Sequence, residues 1–312
     1  MANRPGERVI LIAGPTASGK SAAALMLAED LGAEIVNADA LQVYGDLRIL
    51  SARPGPAELS RAPHRLFGHV DGAVRYSVGG WARDAEGALG DIAARGRPAI
   101  VAGGTGLYFR ALTEGLSQAP DIPAEIRREA QARFLAIGPQ AFHAEVVAAD
   151  PLMTRLKPGD RQRHLRAWEV WRATGRPLSE MQRRPGTPIA RSIAARLVIE
   201  PPRGDLYRDI ETRFDAMLAA GALDEARALM ARGLDPMLPV MKAVGAAELL
   251  AHLRGALSLE EAIRLAKQSS RRFAKRQMTW FRNQTPDWPR ASSPVQALAV
   301  LKAQLRPART SA

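Results

Sequence analysis

The first hundred residues alternate between short unbroken apolar runs and longer stretches with helical spacing. Arg8-Val-Ile-Leu-Ile-Ala13 is rich in β-branched residues and stops at glycine, the pattern of a strand buried on both faces of a parallel sheet. The Ala/Leu-rich stretch 22–31 predicts a helix closed by Gly32. Ala33-Glu-Ile-Val-Asn37 predicts a second strand that leads into Asp39, and Pro98-Ala-Ile-Val-Ala102 a third that runs into Gly103-Gly-Thr-Gly106. Strands alternating with helices, with glycine at strand ends, predict a doubly wound α/β sheet.

The pattern changes beyond residue 118. As far as Gly186 no strand-like run occurs, and the helical, basic stretch is broken by Pro139, Pro151, Pro158, Pro177 and Pro185. Ala195-Arg-Leu-Val-Ile199 is again strand-like, so 119–193 reads as a helical insertion between core segments 1–118 and 194–290. Amphipathic helices are predicted over 206–220, 223–232, 239–253 and 259–282. Residues 291–312, rich in Ala, Arg, Ser and Pro, are expected to form a flexible tail, with a short helix frayed at its end as the alternative.

Composition excludes several chemistries. With no cysteine among its 312 residues, the chain has no disulfide, no thiolate metal site and no cysteine nucleophile. No apolar run approaches the roughly 18–20 residues of a membrane span, and no apolar leader segment follows the polar stretch from Met1 to Arg8, so a cytoplasmic protein is expected. The net charge of +12 is unevenly spread: the first 120 residues carry 12 basic and 12 acidic side chains, the rest 32 and 20. Such asymmetry predicts a polyanionic partner held by one part of the molecule.

Gly14-Pro15-Thr16-Ala17-Ser18-Gly19-Lys20-Ser21 is a phosphate-binding loop in its required context, strand before and helix after. Its glycines let backbone N–H groups converge, the helix N-terminus adds positive charge, Lys20 reaches phosphate oxygens, and Ser21 is placed to ligate Mg²⁺. The third strand ends in Gly103-Gly104-Thr105 with no acid, unlike an ordinary nucleotide-hydrolysing enzyme. Asp39, at another strand end, is positioned to bind Mg²⁺, act as a general base or cap the next helix.

Six motifs occur in order: the loop 14–21, Asp39-x-x-Gln-x-Tyr44, Ser51-Ala-Arg-Pro54, Gly103-Gly-Thr-Gly-Leu-Tyr108, Asp160-Arg-Gln-Arg163 with Arg166-Ala-x-Glu169, and Ala274-Lys-Arg-Gln-Met-Thr-Trp280. Together they resemble the tRNA dimethylallyltransferases, or tRNA isopentenyltransferases, over about residues 9–284. The resemblance implies a P-loop, nucleotide-kinase-like core with an all-helical insertion. It implies Mg²⁺-dependent transfer of the dimethylallyl group of dimethylallyl diphosphate to N6 of adenosine 37, beside the anticodon, in tRNAs reading codons that begin with U. In the same way it gives Asp39 the role of general base, Lys20 and the loop the leaving diphosphate, and Thr105 a place near the reacting centre. The tRNA anticodon stem-loop would meet Asp39, Ala40, Leu41 and Gln42; Gln162, Arg163, His164, Leu165 and Arg166; Lys242, Ala243, Val244, Gly245, Ala246 and Ala247; and Thr105 and Arg127. Ala40, Arg65 and Lys242 depart from residues common in the family, as does the lack of an aromatic after Gly245.

Between 262 and 286 there are seven basic residues and no acid, interleaved with Phe273, Trp280 and Phe281. The arginines suit RNA, whereas Trp280 and Phe281 are expected in the core. A monomer is expected. A small-molecule kinase and an RNA-binding ATPase are the competing readings, the first weakened by the missing acid and the second leaving Asp39 and Thr105 without purpose.

Overall fold

Val9–Ala13 forms β1, every residue buried, as an apolar run without polar relief must be inside a sheet covered on both faces. The computed structural model describes residues 8–117, 121–183, 186–190 and 192–306. After β1 come α1 (Lys20–Leu31), β2 (Glu34–Asn37), α2 (Pro56–Leu59), β3 (His64–Arg65), α3 (Val78–Ala94), β4 (Ala99–Gly103) and α4 (Gly106–Thr113). The chain continues through α5 (Ala124–Ala149), α6 (Arg161–Thr174) and α7 (Leu178–Gln182) before β5 (Ile193–Ile199). It closes with α8 (Arg203–Ala219), α9 (Ala222–Ala231), α10 (Ala246–Leu253), α11 (Leu259–Gln284), β6 (Arg290–Ala291) and α12 (Pro294–Leu305).

Two compact units result. One joins Met1–Thr113 to Ile189–Ala312; the other is Glu114–Pro188. The first holds a six-stranded sheet in the order β3-β2-β4-β1-β5-β6, parallel at every pairing. Ile10, Ile12, Ile35, Ile100 and Leu197 of the sheet pack with Leu27 of α1 and Leu301 of α12 in one core cluster. Burying each such side chain stabilises by about 1.5–3 kcal/mol. The second unit contains only helical elements among its described residues. Its core gathers Phe142, Val146, Trp168, Val170 and Leu178. Within α5 the helix is interrupted at Gly138, whose φ of 77° lies outside the helical region, immediately before Pro139.

The structure departs from the sequence expectations in three places. Residues 294–305 of the expected tail form α12, whose Ala297 and Leu301 are fully buried. Ser293 caps that helix by accepting from Gln296 N, and Pro294 opens its first turn. Residues 307–312 lie outside the described set. The helix expected over 239–253 is a 3₁₀ turn, Val240–Lys242, and then α10, separated by Gly245 at φ 89°. The two-residue strands β3 and β6 are too short to carry a periodicity, and sequence pattern passes over them. No described helix is long and apolar enough to cross a membrane.

Candidate functional site

Three adjacent parallel strands deliver the site. At their carboxyl ends Ala13 of β1 is in register with Gly103 of β4, and Asn37 of β2 with Ala102 of β4. The phosphate loop, the Gly103–Gly106 turn and the Ala38–Gln42 segment therefore emerge side by side, at the edge where α/β sheets bind ligands. The ladder continues past the strands: Gly14 N donates to Gly103 O (3.2 Å), Ala38 N to Ala102 O (2.8 Å) and Thr105 N to Ala38 O (3.0 Å). Gly103 is required for this approach, because a Cβ there would stand 2.1 Å from the backbone carbon of Ala38.

Gly14–Ser21 turns tightly into α1, with Gly19 at φ 81° as the residue before the helix. Lys20 is buried, and its Nζ donates to Pro15 O at 3.1 Å. Burial lowers its pKa to about 8; the Asp39 carboxylate offsets part of that shift and the Arg213 guanidinium adds to it. The Ser18 hydroxyl is buried against Gly14 with no hydrogen-bond partner. Ser21, in the first turn of α1, is exposed.

Asp39 is half-buried. Its Oδ1 accepts from Leu41 N at 3.0 Å, so the carboxylate closes its own turn, and no helix follows it to be capped. Asn37 Oδ1 accepts from Asp39 N (2.8 Å), and Thr105 Oγ1 accepts from Ala40 N (2.9 Å). The Thr105 hydroxyl thus holds the backbone of the Asp39 segment. Gln42 is buried and donates from Nε2 to Ser51 O and Ala52 O, both at 3.0 Å, folding the following loop inward.

A pocket opens beside these groups. Thr16, Asp39 and Arg213 form its polar side; Leu41, Leu50, Phe214, Met217 and Phe273 are among its apolar lining. Arg213 comes from α8 and donates from Nη2 to Thr16 Oγ1. Burial pushes its pKa below the usual arginine value, against the opposing pull of Asp39. Sequence reasoning missed Arg213. The available signal was its position on the inward stripe of α8 beside buried Leu206, Ile210 and Met217, where a cation is out of place without an anion to meet.

The expected RNA positions divide by accessibility. In the helical unit Gln162 and Arg163 are exposed, while Arg127, Leu165 and Arg166 are half-buried. Burial lowers the Arg166 pKa, partly offset by Glu169, with Arg127 lowering it further. His164 is fully buried: its Nδ1 pairs with Asp160 O (2.8 Å) and its Nε2 with His143 Nδ1 (2.7 Å), leaving neither ring nitrogen for RNA. In 242–247, Ala243, Gly245 and Ala246 are buried, Val244 lines the pocket, and Lys242 and Ala247 are exposed. On α11, Arg264, Lys267, Arg271 and Arg282 are paired with Glu261, Asp215, Glu211 and Glu200. Arg272, Lys275 and Arg276 are exposed. Phe281 is buried, as expected, and Trp280 is half-buried. No group of three or more His, Asp or Glu side chains among the described residues is arranged to hold a metal ion alone.

The IPP transferase family model matches residues 42–284, and an isopentenyl transferase model matches residues 7–70. A tRNA dimethylallyltransferase of Phenylobacterium zucineum (strain HLK1) is 56% identical over 92% of this chain and 93% of its own. One from Caulobacter sp. (strain K31) is 53% identical over 93% and 94%. Among solved structures, the full-length tRNA isopentenylpyrophosphate transferase of Bacillus halodurans superposes with a TM-score of 0.66 at 30% identity, covering 96% of this chain and 97% of that one. A eukaryotic dimethylallyltransferase acting on tRNA gives 0.76 at 26% identity, covering 95% and 77%.

Proposed function

The chain belongs to the IPP transferase family and is a prenyltransferase that moves a dimethylallyl group to tRNA, and from that premise we propose the donor, the acceptor atom and the residues that serve them. The donor is dimethylallyl diphosphate. The acceptor is N6 of adenosine 37 in tRNAs reading codons that begin with U. The observation that carries this reading is the pocket, in which Thr16 of the phosphate loop, the Asp39 carboxylate, the Arg213 guanidinium and an apolar wall meet beside neighbouring strand ends.

Each part fits one demand of the chemistry. The bond that breaks joins an allylic carbon to a diphosphate oxygen, and the carbon can carry positive charge. Stabilising the departing anion is the larger task, and it falls to Lys20, Arg213 and the loop amides. Leu41, Leu50, Phe214, Met217 and Phe273 would receive the hydrocarbon and exclude water from the cation. The exocyclic amine of adenine is a weak nucleophile because its lone pair is delocalised into the ring. Asp39, close enough to Lys20 and Arg213 to shift both, accepts the proton that N6 loses as the new C–N bond forms. Adenosine 37 must leave its stack to reach the carboxylate.

Mg²⁺ is the expected cation: the Ser21 hydroxyl in the first turn of α1 is a hard oxygen ligand, and Mg²⁺ commonly completes its shell with substrate phosphate oxygens and water. When bound it would neutralise charge on the leaving diphosphate. The exposed arginines of the helical unit and of α11 would contact tRNA phosphates. The enzyme is expected to act in the cytoplasm as a monomer.

Incubating unmodified tRNA with dimethylallyl diphosphate labelled in the prenyl group, with Mg²⁺, tests the reading. Label should enter the RNA and diphosphate should appear in equal amount. ATP turnover without label transfer would support a kinase or ATPase instead.

A further inference from the structure

Gln277 interrupts the buried stripe of α11, where Ala274, Met278 and Phe281 are the neighbouring inward residues. Its side chain is 6% exposed. Both ends of the carboxamide are used, each on a different strand-end loop. Oε1 accepts from Thr16 N in the phosphate loop at 2.9 Å. Nε2 donates to Gly104 O, in the turn after β4, at 2.9 Å. The amide has one possible orientation, since Thr16 N–H only donates and Gly104 C=O only accepts.

The sequence around Gly104 is shaped to admit this helix. A Cβ on Gly104 would stand 2.2 Å from Gln277 Nε2, and one on Gly106 would stand 2.2 Å from the Trp280 ring. Between those glycines lies Thr105, whose hydroxyl accepts from Ala40 N and fixes the Asp39 segment. A continuous hydrogen-bonded path therefore joins the phosphate loop to the Asp39 segment: Thr16, Gln277, Gly104, Thr105, Ala40. An amide serving only to satisfy a core position could bond any two backbone groups. This one bonds the loop for the leaving group and the turn that holds the proton acceptor.

We propose that Gln277 is a positioning residue that sets the spacing between the diphosphate cradle and the Asp39 carboxylate. Its effect on turnover rests on the functional reading above, whereas its effect on the cradle does not. Without the tie, α11 no longer pins Thr16, so the loop spends less time in its anion-binding shape, and the Gly104 turn, though still held to Ala38 through Thr105 N, loses its link to that loop. Neither change touches the RNA-binding cations directly.

Two variants test this. Gln277→Leu keeps the approximate volume and removes both bonds. Gln277→Glu keeps an acceptor for Thr16 N but regains a donor for Gly104 O only when its carboxyl is protonated. The readouts are affinity for inorganic diphosphate with Mg²⁺ by calorimetry, kcat, KM for dimethylallyl diphosphate and for tRNA, and Tm. Gln277→Leu should weaken diphosphate about tenfold and lower kcat about tenfold or more, with KM for tRNA within about twofold. Gln277→Glu should be impaired near pH 8 and recover relative to the wild-type protein toward about pH 6, a recovery Gln277→Leu lacks. A folded Gln277→Leu with diphosphate affinity and kcat within about twofold of wild type would overturn the proposal. If that variant fails to fold, a Gln277→Glu profile parallel to wild type would overturn it. Should the wild-type protein bind diphosphate yet transfer no label to tRNA, the functional reading fails, and the diphosphate arm still decides the role of Gln277.

Discussion

Asp39 holds two roles on one carboxylate, and they can be separated. Oδ1 caps the turn by accepting from Leu41 N, while the proposed base needs a free lone pair and a negative charge. Asp39→Asn keeps the cap and removes the base. We expect turnover to fall roughly 10²–10⁴-fold with tRNA affinity within a few fold, and Tm to fall modestly because Lys20 and Arg213 lose a compensating charge. Near-normal turnover in steady-state assays would leave Asp39 as a cap alone. Lys20 gives a pH prediction. Burial favours its neutral form, so in the free protein the ammonium is lost as pH rises through about 8. A bound diphosphate favours the charged form, so the Lys20 contribution to diphosphate affinity, taken as the ratio of wild type to Lys20→Ala at each pH, should be constant below that pH and then decline by up to about tenfold per pH unit above it. Calorimetry of both proteins across that range should show this decline, and a constant ratio would contradict it. At this scale the loop and Asp39 were readable because spacing and strand-end position announce them. Arg213, Gln277 and the buried His164 were not, because a single side chain's role depends on which face of its helix turns inward.

Helices and loops carry the site through fixed attachments, and one of these spans the sequence. Glu225, in the first turn of α9, accepts from Arg48 N and Ile49 N with Oε2 and from Leu50 N with Oε1, each at 2.8 Å. Gln42 grips the same loop at Ser51 and Ala52. Leu50 and Ser51 line the pocket, so Glu225 holds part of its wall from 175 residues away. Glu225→Ala strands three N–H groups and should destabilise the loop by about 1–3 kcal/mol. Hydrogen exchange at Arg48, Ile49 and Leu50 should accelerate accordingly; unchanged protection would show that the loop is held by other contacts. The buried runs of β1, β2, β4 and β5 were evident in the sequence, since an unbroken apolar stretch has few other homes. The pairing of a carboxylate with amides in a distant loop has no local signature. For α12 the composition leaves tail and short helix both open, and its apolar positions gain their role only in the core cluster they share with α1 and β5.

The charge distribution of the whole chain bears on its two proposed anionic substrates. The electrically neutral first 120 residues contain the phosphate loop, and the surplus lies beyond them. The net value overstates what RNA can use, since much of the α11 set is already paired with acids. We expect tRNA affinity to fall steeply with salt, reflecting several phosphate contacts, and diphosphate affinity to fall only weakly, because its charges are met inside the protein. Filter binding and calorimetry over one salt series would check both, and equal slopes would contradict this division. In the proposed reaction the cradle, the carboxylate and the apolar wall serve a single transfer, and mass spectrometry of nucleosides from treated tRNA reads its product. One added C5H8 unit is expected on the base of adenosine 37, and none in tRNA carrying guanosine there. Unmodified adenosine 37, or addition at another position, would contradict this reaction.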